Sequence, residues 1–173
     1  AARGRVDILV NNAGIQTRKR FVEFSYDEWR AVIDTHLNGA FLATRAVLPH
    51  MIANRFGRII MIGSVAVQSP KPQIPAYAAA KGGVTSMVRA LAVEVAPLGI
   101  TCNVIAPGYI ATEFTRALHT DEAFTERLME RVPAGRWGLP QDIAPAAVYL
   151  ASAAGAFVNG SVLTVDGGFL ACG

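Results

Sequence analysis

Four short runs, each apolar at nearly every position, constrain the fold of this chain more than any other feature. They are VDILVNNAG (6–14), GRIIMIGSV (57–65), ITCNVIAPG (100–108) and SVLTVDGG (161–168). A strand with one wet face alternates apolar and polar residues; a strand apolar throughout is buried on both faces. Such strands belong to parallel sheets with helices packed on each side. The intervals between the runs carry helical signals. Residues 25–55 open with Ser25 as a helix N-cap and Glu28 three residues on, the reciprocal pair of a capping box. Trp29, Val32, Ile33, Leu37, Phe41 and Leu42 then recur at helical spacing. A long helix is predicted from about residue 76, stopped by Pro97 and Gly99, and another over 139–155; 112–133 is polar and partly helical. Alternating strands and helices predict an α/β, Rossmann-like doubly wound parallel sheet.

Length and composition narrow the classes. The chain has 173 residues, 52% hydrophobic and 17% charged, which suits a single well-buried domain. No apolar run reaches the ~18 residues of a membrane span, and the start AARGRVDILV lacks the layout of a secretion signal. A cytoplasmic protein is expected. Cys102 and Cys172 form no metal or redox spacing and read as free thiols. His36, His50 and His119 have no ligand spacing, so no metal is expected. The net charge of +3 is too small and scattered for a nucleic-acid partner. The one basic cluster, Arg18, Lys19 and Arg20, is either a solvated loop or an attractor for an anionic substrate.

Ligands of open α/β sheets bind beyond the carboxyl ends of the strands. The NNAG, GSV and APG segments all fall at such ends, and Tyr77 opens the helix after the second strand. Tyr77 and Lys81 are spaced i,i+4 and so share a helix face. A free phenol titrates near 10; a neighbouring cation favours phenolate and makes tyrosine a usable proton donor and acceptor. Alone the pair is weak. Ser64 stands thirteen residues earlier at a strand end, placed to bond the same substrate oxygen.

In order, NNAG (11–14), Ser64, YAAAK (77–81), PGYIAT (107–112) and VDGG (165–168) resemble the short-chain dehydrogenase/reductase family over essentially the whole chain. Within it, NNAGIQTRKRF, IAPGYIATEFTRAL, DEAF, RWGLPQDI, FVNG and VDGGFL look most like gluconate 5-dehydrogenases. Other sugar dehydrogenases and ketoacyl-carrier-protein reductases share much of this pattern. The resemblance implies NAD or NADP as cofactor and hydride exchange between it and a secondary alcohol or ketone. Tyr77 would be the general acid or base. Lys81 would lower its pKa and hold the nicotinamide ribose, and Ser64 would orient the substrate oxygen. Asn11, Ala13 and Gly14 would line the cofactor, and Pro107, Gly108, Ile110 and Thr112 would hold its nicotinamide end. Arg18 is the candidate partner of a sugar-acid carboxylate. Relatives are usually homotetramers, pairing the helices around 38–54 and 78–96 and their C-terminal segments.

Two departures stand out. THLNG puts His36 where the family carries an asparagine that holds a relay water. Asn38, two residues on, is rotated away by about 200°. His36, with an ordinary pKa near 6.5, is expected to hold that water or exchange protons itself. Second, no G-x-G-x-x-G series occurs. Residues 1–173 therefore read as one domain, N-terminally incomplete, its first strands and glycine-rich turn lying outside the sequence. The DILV strand is expected mid-sheet, and to become an apolar edge if its neighbours are missing. The rival reading is a non-catalytic fragment acting only through assembly.

Overall fold

The computed structural model describes residues 4–172. Strands β1 (Ile8–Asn11), β2 (Gly57–Ile62), β3 (Ile100–Pro107) and β4 (Val162–Val165) form one parallel sheet in the order β1-β2-β3-β4. The helices are α1 (Tyr26–Ile33), α2 (Gly39–Asn54), α3 (Pro75–Val95), α4 (Arg116–His119), α5 (Glu122–Met129) and α6 (Pro140–Ala151).

The two central strands are buried along almost their whole length, as continuous apolar runs require. Alternate side chains feed two cores. Ile59, Met61, Cys102 and Val104 meet Met51 of α2 and Val84, Val88 and Val95 of α3. Ile60 and Ile105 point the other way, onto Leu150 of α6. The sheet is thus wound on both sides. Both cysteines are free; burial pushes the Cys102 thiol up to about 12.

β1 departs from the expectation of a strand buried on both faces. It is the edge strand among the described residues, and Ile8 and Val10 remain 47% and 45% exposed. Its apolar sequence is that of a mid-sheet strand, and among the described residues no strand pairs with its outer side.

The Ser25–Glu28 capping box forms as predicted: Ser25 Oγ accepts the Glu28 N–H, and Glu28 Oε2 accepts the Ser25 N–H at 3.0 Å. The helix it opens is not continuous. A π-helical turn, Asp34–Asn38, separates α1 from α2. Such turns insert one residue without breaking the helix and re-aim the turns beyond it. It leaves His36 inside and Asn38 outside, where Asn38 Nδ2 donates to Asp34 Oδ1 at 2.6 Å.

Past the expected stop, Gly99 turns the chain into β3 at φ +78°, and a Cβ there would lie 2.4 Å from the Arg55 carbonyl oxygen. The FVNG segment holds β3 in place. Asn159 Oδ1 accepts the Cys102 N–H at 2.8 Å, while its Nδ2 donates to the Ala92 carbonyl. The fully buried Asn103 donates to the Val158 carbonyl and accepts the Ser161 N–H. Each is a side chain closing a backbone valence that strand pairing leaves open.

Candidate active site

The strand ends converge as the topology requires. Ser64 follows β2 and caps a short 3-10 turn, its Oγ accepting the Ala66 N–H at 3.1 Å. Pro75 occupies the first turn of α3, where its missing N–H costs nothing. Ala76 and Ala80, fully buried against Val32 of α1, fix the helix so that Tyr77 and Lys81 face the strand ends. Lys81 is only 5% exposed, and its Nζ donates to the carbonyl of Ile62 at the end of β2. The ammonium lies 5.6 Å from the centre of the Tyr77 ring. The His36 ring meets that ring edge-on at 5.3 Å.

Two cavities meet at this point. A cleft of about 610 Å³ is lined by Ala13, Gly14, His36, Ser64, Tyr77, Lys81, Pro107, Gly108, Ile110 and Thr112. A second, of about 460 Å³, holds Arg18 and shares Ser64, Tyr77, Gly108, Phe114 and Thr115 with the first. Ser64 and Tyr77 therefore stand on the wall between two compartments, where one group must be reached from both sides.

Asn11 does not line either of these cavities. As the last residue of β1, it turns its Nδ2 to Thr44 Oγ1 at 3.3 Å and Met61 Sδ at 3.0 Å, and lines a smaller cavity of about 300 Å³. It ties β1 to α2 and β2. Alternation along the strand carries Asn12 to the cleft instead. The doublet NNAG signals an asparagine but not which one, because the strand's last residue is not marked in the sequence. Phe114 and Thr115, also on the shared wall, escape sequence reasoning because their helical segment has no periodic signal.

Of the basic cluster, Lys19 pairs with Glu28 and Arg20 with Glu23. Among the described residues Arg18 has no ion pair, and its side chain is exposed at the pocket it lines. One residue of the three thus fits the substrate-attracting reading and two the solvated-loop reading.

Burial dominates the titrations. It pushes the Tyr77 phenol above its ordinary value; contact with the Ser64 hydroxyl and the charge of Arg18 pull it back. The Lys81 ammonium is drawn to the Ile62 carbonyl, 5.6 Å from the centre of the Tyr77 ring, and Arg18 adds a second cation whose charge lowers the phenol. Lys81 itself falls to about 8 through burial. His36 is lowered below its usual value by burial and by Lys81, against a backbone hydrogen bond with Ile15. The shift runs downward from the ordinary value near 6.5. The His36 Nε2 lies 2.7 Å from the Ile15 carbonyl oxygen and 3.2 Å from the Ile15 backbone nitrogen, so the tautomer decides whether it donates to the first or accepts from the second, and Nδ1 is buried with no protein partner.

Gly14 is where this packing is tightest. A Cβ would lie 2.4 Å from His36 Cε1. Gly14→Ala is expected to cost about 1–3 kcal/mol, the range for overpacking. His36→Ala in the same chain should relieve most of that cost. Urea unfolding of the two single variants and the double variant measures the coupling; additive costs would show that the contact is not what limits residue 14.

A parallel sheet wound on both sides, with serine, tyrosine and lysine gathered at its strand ends, is a Rossmann-like α/β fold. The chain belongs to the short-chain dehydrogenase/reductase family. A family profile described as enoyl-(acyl carrier protein) reductase matches residues 1–170. The chain is 48% identical over 167 residues to 5-keto-D-gluconate 5-reductase of Escherichia coli K12, covering 96% of this chain and 66% of that protein. It is 46% identical to gluconate 5-dehydrogenase of Gluconobacter oxydans 621H, covering 95% and 64%. A solved gluconate 5-dehydrogenase from Burkholderia cenocepacia J2315, in complex with NADP and tartrate, superposes with a TM-score of 0.95 at 47% identity, over 97% of this chain and 66% of that one. The chain thus spans just under two thirds of the length of these curated relatives.

Proposed function

We propose that the protein is an NAD(P)-dependent oxidoreductase that interconverts a secondary alcohol and its ketone on a sugar acid, gluconate and 5-ketogluconate in the first instance. The observation that carries this is the placement of Ser64 and Tyr77 on the wall between the two cavities. The larger cleft suits a nicotinamide nucleotide: Gly14 allows close backbone approach, and Lys81 adds a buried ammonium. Ala13, Gly14 and Lys81 would hold the ribose, with Asn12 taking the place expected for Asn11; Pro107, Gly108, Ile110 and Thr112 would hold the nicotinamide end. When bound, the cofactor supplies or accepts the hydride. Solved relatives with NADP, such as that from Burkholderia cenocepacia, support NADP as the first cofactor to test.

The chain's own part is the proton. Tyr77 gives it to a ketone oxygen or takes it from an alcohol, and the Ser64 hydroxyl orients that oxygen. Arg18 faces the same pocket and pairs with the carboxylate, an arrangement arginine makes with two hydrogen bonds. His36 replaces the relay asparagine through its unpartnered Nδ1. Because the folded value of His36 is depressed, its contribution to stability is present above pH 6.5 and lost as the pH falls below it. His36→Asn should therefore lose part of the protein's acid sensitivity below that value, and its activity profile should lack one ionisation. Unchanged profiles in unfolding and in activity would remove the role.

Exposed Phe41 and Leu42 on α2 and Val93 on α3 suit helix faces that pair between copies, as a homotetramer would require. The test is the full-length protein with gluconate and NADP⁺ or NAD⁺, and with acetoacetyl thioesters and NADPH. Gluconate oxidation is expected. Thioester reduction alone would favour a reductase of the kind to which the chain is 45% identical, the 3-oxoacyl-[acyl-carrier-protein] reductase of Salmonella typhimurium LT2. Failure to bind either cofactor would leave only the non-catalytic reading.

A further inference from the structure

The 460 Å³ pocket has a property that a single substrate carboxylate does not explain. Its wall carries four cationic side chains, Arg18, Lys71, Arg127 and Arg131, and no aspartate or glutamate. None of the four has an ion pair among the described residues. Two of them are held together. Lys71, from the proline-rich loop after β2, has its Nζ 5.5 Å from the centre of the Phe169 ring. Arg131, just past α5, has its guanidinium 4.6 Å from the same centre. Phe169 is 1% exposed and cannot move aside. A buried ring thus fixes two like charges on one patch of wall, close enough that Arg131, after burial, helps to lower the Lys71 ammonium.

Like charges gathered without a counter-charge repel, and a bound anion relieves that repulsion. Arg18 is a different station: it comes from the segment after β1 and lines the same pocket without stacking on Phe169. One anionic group at Arg18 and another at Phe169 would match both.

We propose that Lys71 and Arg131, braced on Phe169, form a second anion seat, and that the preferred substrate is a sugar acid with a second anionic group, a carboxylate or a phosphate ester, at the end of the chain opposite the carboxylate that Arg18 takes. This rests on the reading of the pocket as a substrate site but not on gluconate being the substrate.

Calorimetry on the full-length protein with NADP tests it, using gluconate, glucarate and 6-phosphogluconate as probes. Charge-assisted hydrogen bonds of this kind are worth about tenfold or more in affinity. Glucarate or 6-phosphogluconate should bind at least about tenfold more tightly than gluconate, and the tighter of the two identifies the second group. Lys71→Gln should erase most of that advantage, Lys71→Arg should restore it, and NADP affinity should not move. Arg131→Gln should act like Lys71→Gln, and thermal unfolding verifies that it folds; the loop variant stands alone if it does not. Equal affinity for all three acids, or an advantage that survives Lys71→Gln, would overturn the seat. Oxidation of gluconate is a separate result. Its absence alongside a dianion preference removes the gluconate reading and keeps this one.

Discussion

Tyr77→Phe is expected to lower kcat by about 10²–10⁴-fold, the range that a positioned general acid or base supplies, while leaving the fold almost untouched. The substitution deletes one oxygen and keeps the ring. The edge-on contact with His36 at 5.3 Å and the tilted contact with Phe114 at 6.0 Å do not use the hydroxyl. Removing the hydroxyl also removes a polar atom that burial disfavours, so the stability change should stay within about 1 kcal/mol. Steady-state kinetics with parallel urea unfolding separates the two effects. A variant retaining more than about a tenth of wild-type kcat would mean that another group moves the proton. Cofactor affinity should fall little, since Tyr77 is argued to act on the substrate oxygen.

The second large effect has opposite signs in activity and stability. Lys81 is 5% exposed and its pKa falls from 10.5 to about 8 through burial alone. At about 1.36 kcal/mol per unit, keeping the ammonium charged in the fold costs about 3 kcal/mol at neutral pH. Lys81→Met removes that cost but leaves the Ile62 carbonyl without its donor, a loss of about 1 kcal/mol. The variant should thus be about 2 kcal/mol more stable than wild type below pH 8, without cofactor, and nearly inactive.

Linkage sets the sign of the pH dependence. Between pH 8 and 10.5 the unfolded chain binds the Lys81 proton and the folded chain does not, so wild-type stability gains from this group as pH rises. The gap between variant and wild type should close over that window. A methionine variant less stable than wild type at pH 7, or a gap that does not change with pH, would show that the buried charge is compensated by a partner. Function held at the expense of stability is common where a site must keep a charge in a dry place.

Much of the fold is legible in the sequence because its signals are local. The runs at 57–62 and 100–107 are apolar on both faces, and both form central strands. Ser25 with Glu28, Pro75, and Pro97 with Gly99 mark helix ends through capping and backbone geometry that need no distant partner. The π turn at Asp34–Asn38 leaves no such mark. The residues at its two ends are helical in φ and ψ, and the turn itself packs against α3, a contact that no local pattern encodes. The candidate site divides in the same way. Ser64, Tyr77 and Lys81 can be named because their spacing and strand-end positions survive in one dimension. The sequence points to Asn11 where Asn12 lines the cleft, since alternation about an unmarked strand end decides which side chain faces the ligand. The pairing of Lys71 with Arg131 joins a loop after β2 to the segment after α5 across 60 residues, and no local pattern connects them.

The sequence by itself determined that this chain makes a parallel sheet wound with helices, and that its chemistry collects at the strand ends. Burial periodicity and turn residues encode both locally. Only the tertiary structure decided the charges. It drew Lys81 to the Ile62 carbonyl, brought Arg18 to the pocket that Tyr77 lines, buried His36 against Ile15 and the Tyr77 ring, and set two cations without ion pairs on one aromatic ring. Those outcomes depend on desolvation and on distances between elements far apart in the chain, and both come into existence only when the sheet and its helices close around the site.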